Sequence, residues 1–446
     1  MEGSPVADSR RRFSYRSIIT VLAAASLGVG LLMASSLAVA QDSPSLTPME
    51  ELGRELFFDK ISDPGWMSCA SCHDPKVGWT GGIAGINHHG AVYRGAVPQR
   101  FGDRKPPSVA YTTFSPILHL DVTEGEFVGG NFWDGRATGE RLGNPAADQA
   151  LGPFLNPVEQ NMPSIAAVCE EVADSKYADL FEEVWGPDSL DCETGVEAMF
   201  DQIGLSIAAY EGSDEVSPFS SKYDVYWESC LDAGNSAEAC GLAGGDKAVL
   251  DPTDILSDQE FDGLIEFGEY CAACHVSHVP AAGGLPPLFT DFTFDNIGVP
   301  PNPENPFYDM DEVFLADGSP INPAGDAFID LGLGAFLRTR PEWAAMADDN
   351  DGKHKVPTLR NVDLRSGKGF TKAFMHNGVF KSLEDVVHFY NTRDVPEEGW
   401  APPEVAQNVN RELLEGVPLG NLELDAEAEA AIVAFLETLN DGYLID

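Results

Sequence analysis

The sequence predicts a mainly α protein made of two tandem units, and three observations carry that expectation. The pentapeptides Cys69-Ala70-Ser71-Cys72-His73 and Cys271-Ala272-Ala273-Cys274-His275 recur 202 residues apart. Each follows a helix-start signal and an apolar stripe of helical period. No alternation of apolar and polar residues runs long enough to specify a sheet.

The first 40 residues stand apart from that fold. Arg10, Arg11, Arg12 and Arg16 form a positive region, Ser17 to Gln41 carries no charge, and Ala38-Val39-Ala40 offers small residues for cleavage. This is the pattern of a signal peptide. An uncleaved anchor is the alternative, since the uncharged run is long enough to span a bilayer. Ser9-Arg10-Arg11-Arg12-Phe13 also fits a twin-arginine signal.

The first unit is expected over 41–227. Thr47-Pro48-Met49-Glu50 is a capping box with Pro at the first helical position, and Leu52 and Leu56 begin an apolar stripe leading to Cys69. Val196, Met199, Phe200, Ile203 and Ile207 mark an amphipathic helix that ends near Glu211-Gly212-Ser213. Residues 228–255, with Cys230, Cys240 and Gly244-Gly245, read as a loop-rich linker or insertion.

The second unit is expected over 256–446. Ser257-Asp258-Gln259-Glu260 repeats the capping box, and Phe261, Leu264, Ile265 and Gly268 follow at helical spacing. A closing helix starts near Asp425 and aligns Ile432, Phe435, Leu436 and Leu439. Pro- and Gly-rich stretches at 81–107 and 280–325 read as long loops, which in a compact domain usually carry function or wrap a ligand.

Lys and Arg number 27 against 72 Asp and Glu, a formal charge of −45; loss of residues 1–40 removes four Arg with Glu2 and Asp8 and takes it to −47. Such a surface repels phosphates, which excludes nucleic acid as a partner. A basic electron-carrier protein is compatible with it.

The eight cysteines sort by spacing. C-x-x-C-H is the attachment signature of c-type haem: two thioethers hold the porphyrin while the adjacent His turns under the ring to bind iron. Zinc is the competing reading, but the two pairs lie far apart and each has its own His. The two units are therefore expected to be tandem cytochrome c-like haem domains with long loops. Haem is attached to an exported, unfolded chain, which favours the general secretory route and a periplasmic destination. In that oxidising compartment Cys169, Cys192, Cys230 and Cys240 are expected to form two disulfides. Proximity suggests Cys169–Cys192 and Cys230–Cys240 among the three possible connectivities.

The stretches LGRELFFDKISDPGWMSCASCHDP, FWDGRAT, DQALGPFLNPVE, KYDVYW, KVPTLRNVDL and FMHNGVFKSLEDVVHFYN, in this order, give the chain a further character. It resembles the bacterial di-haem cytochrome c peroxidases and their MauG relatives over nearly the whole mature length. The resemblance implies that a haem held by Cys69, Cys72 and His73 reacts with hydrogen peroxide. It implies a distal ligand sixteen residues on, at His89, with His88 beside it; in the MauG branch that face is open. Glu159 falls at the position of the distal acid/base that moves the peroxide proton, and Gln149 at that of the hydrogen-bonding amide. Two departures are Gln160 in place of the usual Met and a longer interval between Trp133 and Gln149.

Trp133 resembles the family's inter-haem tryptophan. A structural calcium is a further implication: Thr371 and Ala373 match its carbonyl ligands, while its Asn is blurred into Asp103-Arg104-Lys105. The haem held by Cys271, Cys274 and His275 is implied to exchange electrons with the outside. Its sixth ligand lies fourteen residues after His376, at Tyr390, where the peroxidases have Met and the MauG branch has Tyr. His388 is the rival ligand; on one helix, residues two apart point about 200° apart, so only one of the two faces the iron.

The partners implied are hydrogen peroxide with either a small donor (a cytochrome c or a cupredoxin) or a protein substrate. The oligomeric state is left open, a homodimer included. A periplasmic peroxidase is the leading expectation, a MauG-like enzyme acting on a partner protein the alternative, and a non-catalytic electron-transfer cytochrome the rival from another class.

Overall fold

The computed structural model describes residues 45–444 apart from 366, 368 and 415, so the signal-peptide expectation lies outside the described residues. The described chain is mainly helical, and its three β ladders are antiparallel two-stranded pairs of two or three residues per strand.

The capping boxes act as the sequence requires. Thr47 and Glu50 close the start of the Pro48–Phe58 helix, and Ser257 and Glu260 that of the Asp258–Tyr270 helix, each pair bonding side chain to backbone in both directions. Two hydrophobic clusters grow from these helices. Leu52, Leu56 and Phe57 join Phe154, Met199, Ile203 and Ile207 in the first. Phe261, Leu264 and Phe267 join Ile432, Phe435, Leu436 and Leu439 in the second. Each such buried side chain stabilises by roughly 1.5–3 kcal/mol.

The same crossing occurs in both clusters. The Pro48–Phe58 helix lies against the Val196–Glu211 helix with Gly53 facing the Ser206 carbonyl. The Asp258–Tyr270 helix lies against the Ala426–Glu437 helix with Gly263 facing the Ala431 carbonyl. A Cβ at either glycine would overlap the opposing carbonyl oxygen, so the helices approach this closely because a side chain is missing.

Residues 228–255, expected as a loop-rich linker or insertion, hold the end of the Lys222–Asp232 helix and the short Ala237–Gly241 and Lys247–Leu250 helices. Tyr223, Tyr226, Trp227, Cys230, Cys240 and Leu250 pack into the second cluster. The reason is local: the Lys222–Asp232 helix presents its aromatic face to Phe261 and Phe289, and the Cys230–Cys240 disulfide ties the following turn back to it. The other disulfide joins Cys169 to Cys192. The stretches 81–107 and 280–325 carry short helices and turns, with one strand at Phe294–Asp295.

Arg360 joins the two clusters. It is fully buried, forks onto Asp224 at 2.8 and 3.1 Å, and lies over the rings of Tyr111 and Phe219.

Candidate active site

Both pentapeptides fold into the same turn. The His73 and Cys72 N–H groups donate to the Cys69 carbonyl, and those of His275 and Cys274 to the Cys271 carbonyl. The four motif cysteines are free thiols, and each pair lines one cavity with its histidine.

The Nδ1 of His73 is 3.2 Å from the Trp79 carbonyl, and that of His275 is 3.0 Å from the Phe289 carbonyl. A carbonyl accepts only, so Nδ1 carries the proton and Nε2 keeps a free lone pair. Burial lowers the His73 pKa to about 4 and also lowers that of His275. Two thiols and a neutral imidazole with Nε2 free are the donor set a covalent haem needs, so the residues present fit that group at both places.

The supports repeat as well. Trp79 and Phe289 both take positive φ, 60° and 55°. The hydroxyl just after Pro107, on Ser108, donates to the Gly78 carbonyl at 2.8 Å; the one just after Pro357, on Thr358, donates to the Leu288 carbonyl at 2.6 Å. Each donation fixes the peptide preceding the carbonyl that holds the histidine.

The cavity beside His73 contains Gln149 and Glu159. Gln149 is carried by the Pro145–Leu155 helix, whose N-cap is Asn144. Glu159 follows that helix and accepts from Asn156 Nδ2 at 2.7 Å. Burial raises the Glu159 pKa, opposed by Arg136 and by the Asn156 bond. Gln160 lines the same cavity and donates Nε2 to the Ile61 carbonyl at 2.8 Å.

His89 is not brought to this cavity. Its side chain is 68% exposed, with Nδ1 3.6 Å from Glu304, and its carbonyl accepts from Lys381 Nζ at 2.6 Å. These contacts hold it at the surface beside His88, which is also exposed.

Trp133 is shared. It lines the cavity beside His73 and the one beside His275, and among the described residues no other residue lines both. Its Nε1 donates to the Lys105 carbonyl at 2.9 Å and its carbonyl accepts from the Lys355 N–H at 2.8 Å. Its ring meets that of His376 edge to face, with centroids 6.5 Å apart.

In the cavity beside His275, Tyr390 is present and His388 is not. Both sit on the Leu383–Thr392 helix. His388 turns outward, Nδ1 2.9 Å from Glu429 and Nε2 3.3 Å from Glu398, and the Glu429 bond raises its pKa. Burial raises the Tyr390 pKa, so the apoprotein keeps this phenol protonated. His376 stacks on His354 with ring centroids 3.6 Å apart beside Asp330, which Arg104 holds by two hydrogen bonds.

The sequence motifs did not single out Lys355, His354 or Asp330, and Lys105 entered only through the 103–105 stretch. One signal was available: Lys105-Pro106-Pro107-Ser108 and Lys355-Val356-Pro357-Thr358 share a Lys-x-Pro-hydroxyl pattern, once per half. Asn87 was also missed; its Nδ2 donates to the Thr371 carbonyl at 3.0 Å.

Comparison with known proteins adds to this geometry. The profile of the di-haem cytochrome c peroxidase family matches residues 47–230. The methylamine utilization protein MauG of Paracoccus denitrificans is 34% identical over 423 residues, covering 90% of this chain and 90% of its own. The cytochrome c551 peroxidase of Nitrosomonas europaea is 29% identical, covering 81% of each chain. Among solved structures, the diheme peroxidase BthA of Burkholderia thailandensis superposes with a TM-score of 0.65 at 28% identity, covering 89% of this chain and 87% of that one.

Proposed function

Because the chain belongs to the di-haem cytochrome c peroxidase family that includes MauG, we propose that it works in the periplasm as a peroxide-dependent oxidoreductase, with one c-type haem in each of two tandem cytochrome c-like halves. The observation that carries this reading is the asymmetry of the cavities: Glu159 and Gln149 beside His73, Tyr390 beside His275, Trp133 on both.

A haem tethered to Cys69 and Cys72 would supply the iron at which peroxide is reduced. Glu159 takes the proton from the near oxygen of peroxide and returns it to the far oxygen, which leaves as water. Its environment suits this, because a carboxylate in a buried site is a stronger base than in water. Gln149 offers an amide to orient the peroxide. Trp133 places an indole between the two cavities and so shortens the electron's path.

Tyr390 favours a second form of the same reading. A phenolate stabilises ferric iron, whereas a thioether stabilises ferrous iron and suits uptake from a mild donor. Were Tyr390 to hold the second iron, the oxidising equivalents would be better held than quenched, which suits MauG-like oxidation of a large substrate. Tyr390→Phe then changes the ferric spectrum and potential of one haem only; an unchanged spectrum excludes tyrosinate ligation. A structural calcium belongs to the proposal, with carbonyls from Thr371 and Ala373; the Thr371 carbonyl here accepts from Asn87 Nδ2.

The reading is tested by mixing the reduced protein with H2O2. Rapid haem oxidation supports it, and an inert protein points to a pure electron carrier. Adding reduced cytochrome c separates the two forms: strong turnover marks a peroxidase, and haem oxidation without turnover marks the MauG-like role.

A further inference from the structure

A second buried carboxyl lines the cavity beside His73, and peroxide chemistry leaves it unused. Glu211 closes the Val196–Glu211 helix and is 2% exposed. Its side-chain partner is the Thr112 hydroxyl, 3.4 Å from Oε2. That hydroxyl sits 2.8 Å from the Val109 carbonyl. A hydroxyl has one proton, and the shorter bond claims it. The long contact therefore gives an ionised Glu211 little hydrogen-bond support.

The surroundings agree. Burial pushes the Glu211 carboxyl up to about 8, opposed only by the Thr112 bond, and no charged neighbour moves it. The groups around it are few. The haem-binding turn presents the Cys69 thiol, which thioether formation consumes. Tyr210, on its own helix, is tied to Glu215. Lys105, Arg104, Asp103, Arg136 and Glu159 line the wider cavity. Glu159 differs in kind, being bonded by Asn156 and drawn down by Arg136. Glu159 and Glu211, in one cavity but with unlike environments, are suited to unlike tasks.

We propose that Glu211 is the redox-linked proton site of the haem held by His73, holding its proton while the haem is reduced and releasing it when the haem is oxidised. If a haem held there gave up one of the two electrons that reduce peroxide to water, the other coming from the second haem, the Glu211 O–H bond would break and its proton would pass to solvent. When an electron returns from the donor, a proton returns to Glu211. The driving force is the attraction between the carboxylate and the added positive charge in a site where little water screens it. The inference rests on the covalent haem of the proposed function.

The test is a redox titration of the holoprotein against pH. The midpoint of the peroxide-reactive haem falls as pH rises toward about 8, by at most ~59 mV per pH unit for one electron and one proton. Glu211→Gln removes that slope, and Glu159→Gln keeps it. Redox-difference infrared spectra of the wild type lose a protonated-carboxyl band on oxidation, which answers the question even where Glu211→Gln fails to fold. A pH-independent midpoint in the wild type, an equal slope in Glu211→Gln, or an unchanged carboxyl band overturns the proposal. A protein lacking the c-type haem spectrum, or one whose haem ignores H2O2, instead overturns the functional reading beneath it.

Discussion

The cavities beside His73 and His275 share a frame and diverge above it. In both, a C-x-x-C-H turn faces a carbonyl delivered by a residue at positive φ, Trp79 or Phe289, and a hydroxyl two residues after a Lys-x motif, on Ser108 or Thr358, pins the peptide that positions it. Both close with a tight turn bracketed by an isolated bridge, Asn131 to Ala137 or Phe374 to Phe380. The second residue inside that turn is Trp133 in one half and His376 in the other. Above the frame, the Pro145–Leu155 helix brings Gln149 and leads to Glu159, whereas the Leu383–Thr392 helix brings Tyr390. One frame thus carries two different linings, because the side chains that build the frame are separate from those the following helices bring to each cavity.

The most severe way to break the comparison is to remove one attachment point at a time. Cys69→Ser with Cys72→Ser is expected to leave one haem per chain and abolish peroxide-driven oxidation. Cys271→Ser with Cys274→Ser also leaves one haem, but the remaining haem still reacts with peroxide once and stalls. Haem content per chain and single-turnover spectra distinguish the two variants.

Glu159→Gln keeps both haems and removes only the proton carrier. It is expected to slow peroxide-driven haem oxidation by about 10²–10⁴-fold. In the wild type the rate falls as pH drops through the raised Glu159 pKa, since the base is lost on protonation; in Glu159→Gln this acid limb is absent. Stopped-flow rates across pH check both points.

Arg360 and Ala110 occupy the same place in the two Lys-x-Pro stretches. Arg360→Ala makes the halves alike there and strands buried Asp224, which is expected to cost ~3–5 kcal/mol of stability. Denaturant titration measures it. The smallest effects are expected at the paired helix crossings: Gly53→Ala and Gly263→Ala each force a methyl against a backbone carbonyl, at about 1–3 kcal/mol. Equal losses support equivalent crossings, and unequal ones show which half tolerates a shift.

Short-range signals are the legible part of this chain. The capping boxes at Thr47 and Ser257 and the stripes at Leu52 and Phe261 depend on neighbours a few residues away, the Cys230–Cys240 and Cys169–Cys192 pairs on partners 10 and 23 residues off, and the fold forms them as read. Residues 228–255 are harder, because Gly244-Gly245 suggests a loop while Cys240 and Leu250 on either side pack into the second cluster, where Tyr223 and Tyr226 meet Phe289 and Phe261. His89 shows the same limit: its count from His73 fits a family pattern, yet Glu304 and Lys381, more than 200 residues away, decide where it lies.

By itself the sequence determined the two C-x-x-C-H motifs, the helices that precede them, and the resemblance to di-haem peroxidases, because motif spacing and helix capping are chemistry of adjacent residues. Only the tertiary structure decided that Tyr390 faces the cavity while His388 turns to Glu429, that Trp133 lines both cavities, and that Glu211 is sealed beside the first without a counter-charge. Those outcomes depend on which distant surfaces meet, and burial of a ring or a carboxyl is fixed only when the halves of the chain close around it.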